Sequence, residues 1–179
     1  MNLFRRSLGP ALVALADPTR ALLGAFLFIL VGPLHAAGDL GPSEFFLGGG
    51  TYGAISQIGD HNDARLEQQG SRQYGLINQI GSDNKITATQ SGAFNWLDAT
   101  QIGYGNSSNL NQSGSDNTLN LFQSGNNNMA NVTQIGGNVG TVTQIGSNNT
   151  ANVIQNHLDY KIINLEQRGS NLTTTLIQY

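Results

Sequence analysis

The chain has 179 residues, no cysteine and a formal net charge of −3, and only 11% of its residues are charged. The absence of cysteine excludes disulfide bonds and thiolate metal sites, and the scarcity of Lys and Arg argues against a nucleic-acid partner, whose phosphates require clustered cations. Asparagine, glutamine and glycine, with 21, 14 and 23 residues, take the place of charge, which is typical of either disorder or stacked β-structure.

Residues 1–37 have the composition of a secretory signal peptide. Basic residues precede an apolar run over residues 21–31, and the small residues Ala36 and Ala37 follow it where cleavage would occur. A membrane anchor is the alternative, but about a dozen apolar residues fall short of the roughly 20 that span a bilayer. We therefore predict an exported protein with three parts: a signal peptide (1–37), a flexible, glycine-rich leader (38–54) and a repeat region (55–179).

Glutamine recurs with a regular short period through the repeat region. Most glutamines of the chain belong to this regular series, which we call the ladder. One shorter spacing between successive ladder glutamines near its end is compensated by a longer one. The ladder comprises Gln57, Gln68, Gln79, Gln90, Gln101, Gln112, Gln123, Gln134, Gln144, Gln155, Gln167 and Gln178. A fixed short period predicts a stacked architecture in which each unit buries one face against its neighbours.

Two further residues keep their place in the unit, which is Q-x-G-x-x-N-x-h-x-h-x-Q with h small or aliphatic. The glycines are Gly59, Gly70, Gly81, Gly92, Gly103, Gly114, Gly125, Gly136, Gly146 and Gly169. The asparagines are Asn62, Asn84, Asn95, Asn106, Asn117, Asn128 and Asn149. Gly and Asn tolerate positive φ, so G-x-x-N predicts a tight turn. The alternation from Asn to Gln predicts a strand with one buried face.

These units predict an all-β, amyloid-like fold: a two-sheet β-solenoid of 11-residue strand-turn units, in which two units form one 22-residue rung. About five rungs would stack at roughly 4.8 Å, so that each ladder glutamine lies above the one two units away. Buried amides in such a column satisfy one another by repetition. The predicted buried apolar face consists of Leu66, Ile77, Ile86, Ala88, Leu97, Ala99, Leu110, Leu119, Leu121, Ala130, Val132, Val142, Ala151 and Val153.

The unit resembles the curlin repeat of bacterial curli fibre subunits, and residues 79–90, 123–134 and 144–155 carry it nearly whole. The resemblance covers about residues 55–179. It implies secretion through the outer-membrane curli pore with its accessory factors, and assembly with itself and a second curlin subunit. The product would be an extracellular amyloid, a fimbrium at the outer cell surface that supports adhesion and biofilm matrix.

Curli fibres have a major subunit and a minor, nucleating subunit, and we predict the minor one. The leader segment 39–45 resembles the start of minor subunits, and the uneven repeat steps suit a chain that does not pack identical copies indefinitely. The final Gln178 and Tyr179 resemble a major-subunit terminus, so the major subunit is the alternative. A soluble ice-binding or carbohydrate-binding β-solenoid is a third possibility, although no outward position carries an unbroken run of threonines.

Three units depart from the pattern. Gln73 stands where the second unit should have Asn, and Asn138 comes one residue early. The unit over residues 156–167 lacks its glycine and has Lys161 at the Asn position. Two interpretations of this last unit stay open: a slack terminal rung, or an end that docks on a surface or limits growth.

The sequence contains no catalytic pattern. His61 and His157 lie far apart, no acidic pair accompanies them, and Gly48–Gly50 is not followed by the Lys of a phosphate-binding loop. We predict a protein that is not an enzyme and needs no cofactor or metal. Asp60, Asp83 and Asp116 lie in turns, and we interpret them as gatekeepers whose mutual repulsion slows stacking. Neutralising all three should shorten the lag before polymerisation.

Overall fold

The computed structural model describes residues 45–47, 50–156 and 160–179. The described residues form 13 strands and no helix: β1 Phe45–Leu47, β2 Thr51–Ile58, β3 Asp63–Ser71, β4 Tyr74–Ser82, β5 Lys85–Ala93, β6 Trp96–Tyr104, β7 Ser107–Ser115, β8 Thr118–Asn126, β9 Met129–Ile135, β10 Val139–Ser147, β11 Thr150–Asn156, β12 Ile162–Ser170 and β13 Thr173–Gln178. Accordingly, no helix in this part of the chain is long and apolar enough to cross a membrane. The predicted signal peptide and His157 lie outside the described residues.

The strands alternate between two sheets. Sheet A has the order β1-β2-β4-β6-β8-β10-β12, and sheet B has the order β13-β11-β9-β7-β5-β3. From β2 onward all pairings are parallel and in register, as where Gln79 pairs with Gln101, the ladder glutamine two units further on. The predicted two-sheet β-solenoid with 22-residue rungs is confirmed. It has six rungs instead of about five, because β2 already begins at Thr51 and the irregular unit still forms β12.

The core lies between the two sheets. All 14 apolar residues of the predicted buried face are buried, with at most 4% of their surface exposed, so this prediction is confirmed. Alternation explains the result, because successive side chains of a strand point to opposite faces and only one face of each sheet meets the other. Small residues allow close approach of the sheets: a Cβ on Gly75 would lie 2.7 Å from Leu66 Cδ2 of the opposite sheet.

The turns depend on positive φ, but not at every predicted residue. All ten predicted turn glycines have positive φ, between 96° and 130°. The column asparagines do not; in nine turns the left-handed residue is the one just before the asparagine position, and the shortened turn is an exception because Gly137 does not have positive φ. Those residues are His61, Arg72, Asp83, Phe94, Gly105, Asp116, Asn127, Asn148 and Asn171. The expectation that the Asn of the unit supplies a left-handed residue is therefore wrong, because the residue before it already makes the left-handed bend.

Both irregular units keep the strand register. The shortened turn is closed by Asn138, whose N–H donates to Gly136 O at 3.2 Å and whose Nδ2 donates to Ile135 O at 2.8 Å. In the longer unit, Lys161 O accepts from Val139 N at 2.7 Å, which is the place an asparagine carbonyl takes in the other rungs. The missing residue is thus absorbed in a turn, the extra one lies in the connection between β11 and β12, and the strands on either side stay aligned.

The repeat region begins earlier than the sequence predicts. The last four residues of the predicted leader, 51–54, are already part of β2. Phe45–Leu47 of the leader pairs with β2 in antiparallel fashion, the one antiparallel pairing among the described strands. No periodic residue marks this short strand, so the glutamine period could not reveal it.

Candidate functional site

The ladder glutamines form two columns that run the length of the solenoid, one on each sheet. In both columns the Nε2 of each glutamine donates to the Oε1 of the next one, at 2.6–3.3 Å. The column of sheet A comprises Gln57, Gln79, Gln101, Gln123, Gln144 and Gln167, and that of sheet B comprises Gln68, Gln90, Gln112, Gln134, Gln155 and Gln178. All are buried except the outermost Gln57 and Gln178, which are partly buried.

The ten ladder glutamines from Gln68 to Gln167 also bridge the two sheets. Gln112 on β7 of sheet B donates to Trp96 O at the start of β6 in sheet A, at 2.9 Å. Gln79 on β4 donates in the same way to Asp63 O on β3, at 3.2 Å. One N–H of the amide thus extends the column and the other satisfies a carbonyl of the opposite sheet. This use of both hydrogens explains why a polar residue can be fully buried between two sheets.

The asparagines form two further columns at the turns. The Nδ2 of Asn106 donates to Asn84 Oδ1 at 3.0 Å, its backbone N–H donates to the same oxygen at 3.1 Å, and Nδ2 also donates to Gly125 O at 2.9 Å. The same pattern relates Asn84 to Asn62 and Asn128 to Asn106. Asn149 repeats it on Asn128, and Asn117 repeats it on Asn95. These side chains brace each turn against the turns above and below.

The glutamine and asparagine columns have opposite directions. Glutamine amides donate toward the C-terminal end of the solenoid, as Gln90 does to Gln112. Within the asparagine columns, the bonds from one side-chain amide to the next run toward the N-terminal end, as from Asn106 to Asn84. The solenoid is therefore polar along its axis: its two ends offer different hydrogen-bonding groups to any chain that stacks on them.

The asparagine columns are interrupted at three positions, whereas the glutamine columns are continuous. Gln73 donates to the turn through Gly92 O at 3.0 Å, but its buried Oε1 has no hydrogen-bond partner among the described residues. In the last rung Lys161 and Leu172 occupy asparagine positions, and both are exposed. Only the backbone N–H of Leu172 still bonds to Asn149 Oδ1, at 3.0 Å. Both asparagine columns thus end one rung before the glutamine columns.

Sequence reasoning missed a buried serine that joins the two sheets. Ser108 on β7 accepts from Gln101 Nε2 at 2.9 Å and donates to Gln123 Oε1 at 2.7 Å. It occupies an inward position at which the neighbouring strands carry Ile86 and Ala130. An inward serine among aliphatic residues was the available signal, since a buried hydroxyl requires a polar partner.

An aromatic stack on the outer face of sheet A was also missed. The ring centroids of Tyr52 and Tyr74 lie 5.0 Å apart with an angle of 14° between the planes, and those of Tyr74 and Trp96 lie 3.9 Å apart with an angle of 12°. Burial, together with Tyr52 and Asp98, raises the pKa of the Tyr74 hydroxyl, and burial raises the pKa of the Asp98 carboxyl. The three aromatics stand at the same place in alternate units of the sequence, and this recurrence would have identified the stack.

The three proposed gatekeepers are exposed and do not form one row. Asp60 and Asp83 lie in consecutive rungs at one edge of the solenoid, where Asp83 N donates to Asp60 O at 3.0 Å. Asp116 follows a strand of sheet B and lies at the opposite edge. Direct charge repulsion among the three is therefore possible only between the carboxylates of Asp60 and Asp83. Within the described ranges, no group of three or more His, Asp or Glu side chains could hold a metal ion.

The geometry agrees with what comparison with known proteins finds. Residues 59–92 and 125–156 match the family model of the Curlin associated repeat. Over these two segments the repeat unit is similar to the curlin-associated repeat. No curated protein and no solved structure matches it.

The curlin-repeat geometry extends beyond the matched segments. These cover a little over a third of the chain. The unmatched residues 93–124 between them place Gln101, Gln112 and Gln123 on the same columns, with the same bonds, as the matched units do. The two glutamine columns therefore run through matched and unmatched units alike.

Proposed function

We propose that this protein is an extracellular structural subunit of curli fibres, in which copies of the chain stack end to end. The observation that carries the proposal is the polarity of the two glutamine columns. Gln167 and Gln178 are the last amide donors at the C-terminal end, and Gln57 and Gln68 are the first acceptors at the N-terminal end. Donors meet acceptors only when the C-terminal end of one copy meets the N-terminal end of the next.

The two ends also match in their apolar residues. When the in-register pairing of the chain continues across a junction, β12 of one copy lies on β2 of the next, and β13 lies on β3. The facing residues are then Leu165 with Ile55, Leu176 with Leu66, Gln167 with Gln57, and Gln178 with Gln68. Within the described residues the outer edges of β12 and β13 have no strand partner. Such edges are templates for another chain.

A structural role suits this architecture better than catalysis. The depression on the outer face of sheet A, lined by Asp98, Thr100, Phe122 and Thr141 among others, contains one ionisable side chain, that of Asp98. A general acid–base pair or a nucleophile with its base requires at least two cooperating groups. The curlin repeats support self-assembly instead, with the curli secretion pore, its accessory factors and a second curlin subunit as partners at the outer cell surface.

Within a curli fibre we assign this chain the nucleating role of the minor subunit. The last rung supports the assignment, because Lys161 and Leu172 end both asparagine columns there while the glutamine columns continue. An end that keeps one half of the stacking scheme is suited to a contact with the second curlin subunit. A short stack of copies that nucleates a fibre repeats the defect only a few times, whereas a long fibre of identical copies would repeat it at every junction. The alternative, a major subunit, requires that these defects be tolerated throughout the fibre.

The soluble binding solenoid has less support. An ice-binding or carbohydrate-binding face would need a regular outward array, but the outward row that contains Thr87 consists of Arg65, Thr87, Asn109, Asn131, Asn152 and Thr175. Charged, hydroxyl and amide side chains are mixed along it, so this face offers no repeated surface to a crystalline ligand.

Deletion of residues 156–179 tests the nucleating role, because it removes the last rung and leaves Gln155 as the end of a complete one. We expect cells that express this variant to lose surface-attached fibres while the second subunit is still secreted in soluble form. The matched control deletes residues 102–123, a whole internal rung that leaves both ends and the register unchanged, and it should retain fibres. Equal loss of attachment in both variants would contradict a role of the C-terminal end in nucleation.

A further inference from the structure

The N-terminal edge of sheet A differs from the other three edges at the ends of the solenoid. The backbone of Phe45–Leu47 forms β1, which pairs with β2 in the register Phe45 with Gly53, Phe46 with Tyr52, and Leu47 with Thr51. Gly50, with φ of 76°, lies just before β2. Among the described strands, β1 is the one that covers an end of the solenoid.

β1 and a second copy of the chain require the same backbone groups. A strand has two edges, and the inner edge of β2 is already used by β4, which pairs with residues 52–58. In the proposed head-to-tail junction, β12 of the preceding copy lies on the outer edge of β2. β1 occupies that edge at Tyr52 and Gly53. The two pairings therefore exclude each other.

We propose that β1 is a strap that closes the N-terminal end of the solenoid against a second copy of this chain and must be released before copies stack. This inference rests on the proposed head-to-tail stacking. Proteins commonly protect exposed sheet edges by covering them with a short segment. A strand of three residues is short enough to be displaced, since the incoming β12 is a strand of nine residues and offers a longer pairing.

The strap controls growth at either end of a fibre. When an incoming copy adds its N-terminal end to a fibre, its own strap must leave first. When it adds its C-terminal end, the strap of the last copy in the fibre must leave. Every junction thus requires the release of one strap. Slower release should therefore lengthen the lag and lower the elongation rate.

A disulfide between β1 and β2 tests this proposal in a reversible way. The double variant Leu47→Cys with Thr51→Cys places two thiols in directly paired positions, whose Cα atoms are about 4.5–5.5 Å apart in antiparallel strands, within reach of a disulfide. The chain has no other cysteine, so the bridge is unambiguous. Thr51 tolerates the change, because its buried hydroxyl has no hydrogen-bond partner in the described part of the chain.

We expect the oxidised variant to elongate wild-type seeds at least about tenfold more slowly than the same sample after reduction, which corresponds to about 1.4 kcal/mol in the barrier. The single variant Thr51→Cys controls for the substitution and should not respond to reductant. Circular dichroism of the monomers shows whether all forms fold alike. The variant Phe46→Pro, which removes a backbone donor from β1, should shorten the lag.

The outcomes separate this inference from the proposed function. Equal elongation of the oxidised and reduced forms, with no shortening of the lag by Phe46→Pro, overturns the strap while leaving the stacking intact. Absence of polymer from the wild-type protein and from every variant overturns the stacking itself, and the strap with it.

Discussion

Replacement of Gly103 by alanine is expected to destabilise the solenoid by about 3–5 kcal/mol, because the new methyl group has no place in the stack. Gly103 has φ of 120°, a conformation that L-residues with a Cβ rarely adopt. Its Cβ would also lie far inside contact distance of Gly125 O in the next rung. Relief of that contact would separate two rungs at a turn and weaken the asparagine bonds that brace it.

Gly137 offers the matched control for this change. It does not have positive φ, and a Cβ there would lie 3.7 Å from Ser115 O, an ordinary contact. Gly137→Ala should therefore leave stability unchanged or raise it by about 0.5 kcal/mol through the unfolded state. Urea unfolding of fresh monomer, followed by circular dichroism, measures both variants. Similar midpoints for the two would show that the turn glycines are not required for close rung approach.

Replacement of Gln112 by leucine should cost about 3–5 kcal/mol, although leucine is apolar and similar in size. Three polar groups lose a partner at once: the buried Gln90 Nε2 loses its acceptor, the buried Gln134 Oε1 loses its donor, and the partly buried Trp96 O loses its donor. Each unsatisfied buried polar group costs about 1–3 kcal/mol. The column is also broken at its centre, so seeded polymerisation should slow as well.

Gln69→Leu is the control for Gln112→Leu, because Gln69 directly follows the ladder residue Gln68 but lies off the ladder itself and is exposed. It should change the free energy of unfolding by no more than about 0.5 kcal/mol. The comparison isolates the column, since both variants replace the same amide by the same side chain. A destabilisation by Gln69→Leu as large as that by Gln112→Leu would mean that a ladder glutamine contributes no more to the free energy of unfolding than an exposed glutamine.

The repeat region could be predicted from the sequence because one period determines most of it. The spacing of the ladder glutamines determines the two sheets, the two-unit rungs and the buried face that contains Leu110 and Val132. Burial of every second residue of a strand then follows, because successive side chains point to opposite faces. The positive φ of the repeated turn glycines could also be predicted, whereas the left-handed residues before the asparagines are mostly not glycine and could not.

Features set by single contacts could not be predicted from the glutamine period, although Ser108 and the aromatic stack left other signals in the sequence. β1 pairs through backbone groups, which any residue possesses, so Phe45–Leu47 carries no distinctive pattern. Ser108 and the Tyr52–Tyr74–Trp96 stack depend on neighbours one or two units away in one part of the solenoid. The direction of the amide columns likewise requires the positions of individual donors and acceptors. It is this direction that indicates how two copies meet.

The mass per unit length of the assembled fibre tests most directly whether whole solenoids stack end to end. Six rungs at about 4.8 Å give one chain per about 29 Å of fibre. Scanning transmission electron microscopy of unstained fibres, together with the reflection at about 4.8 Å in fibre diffraction, should return this value for a single filament. One chain per about 4.8 Å, as in amyloids in which each molecule contributes one layer, would contradict the stacking of intact solenoids.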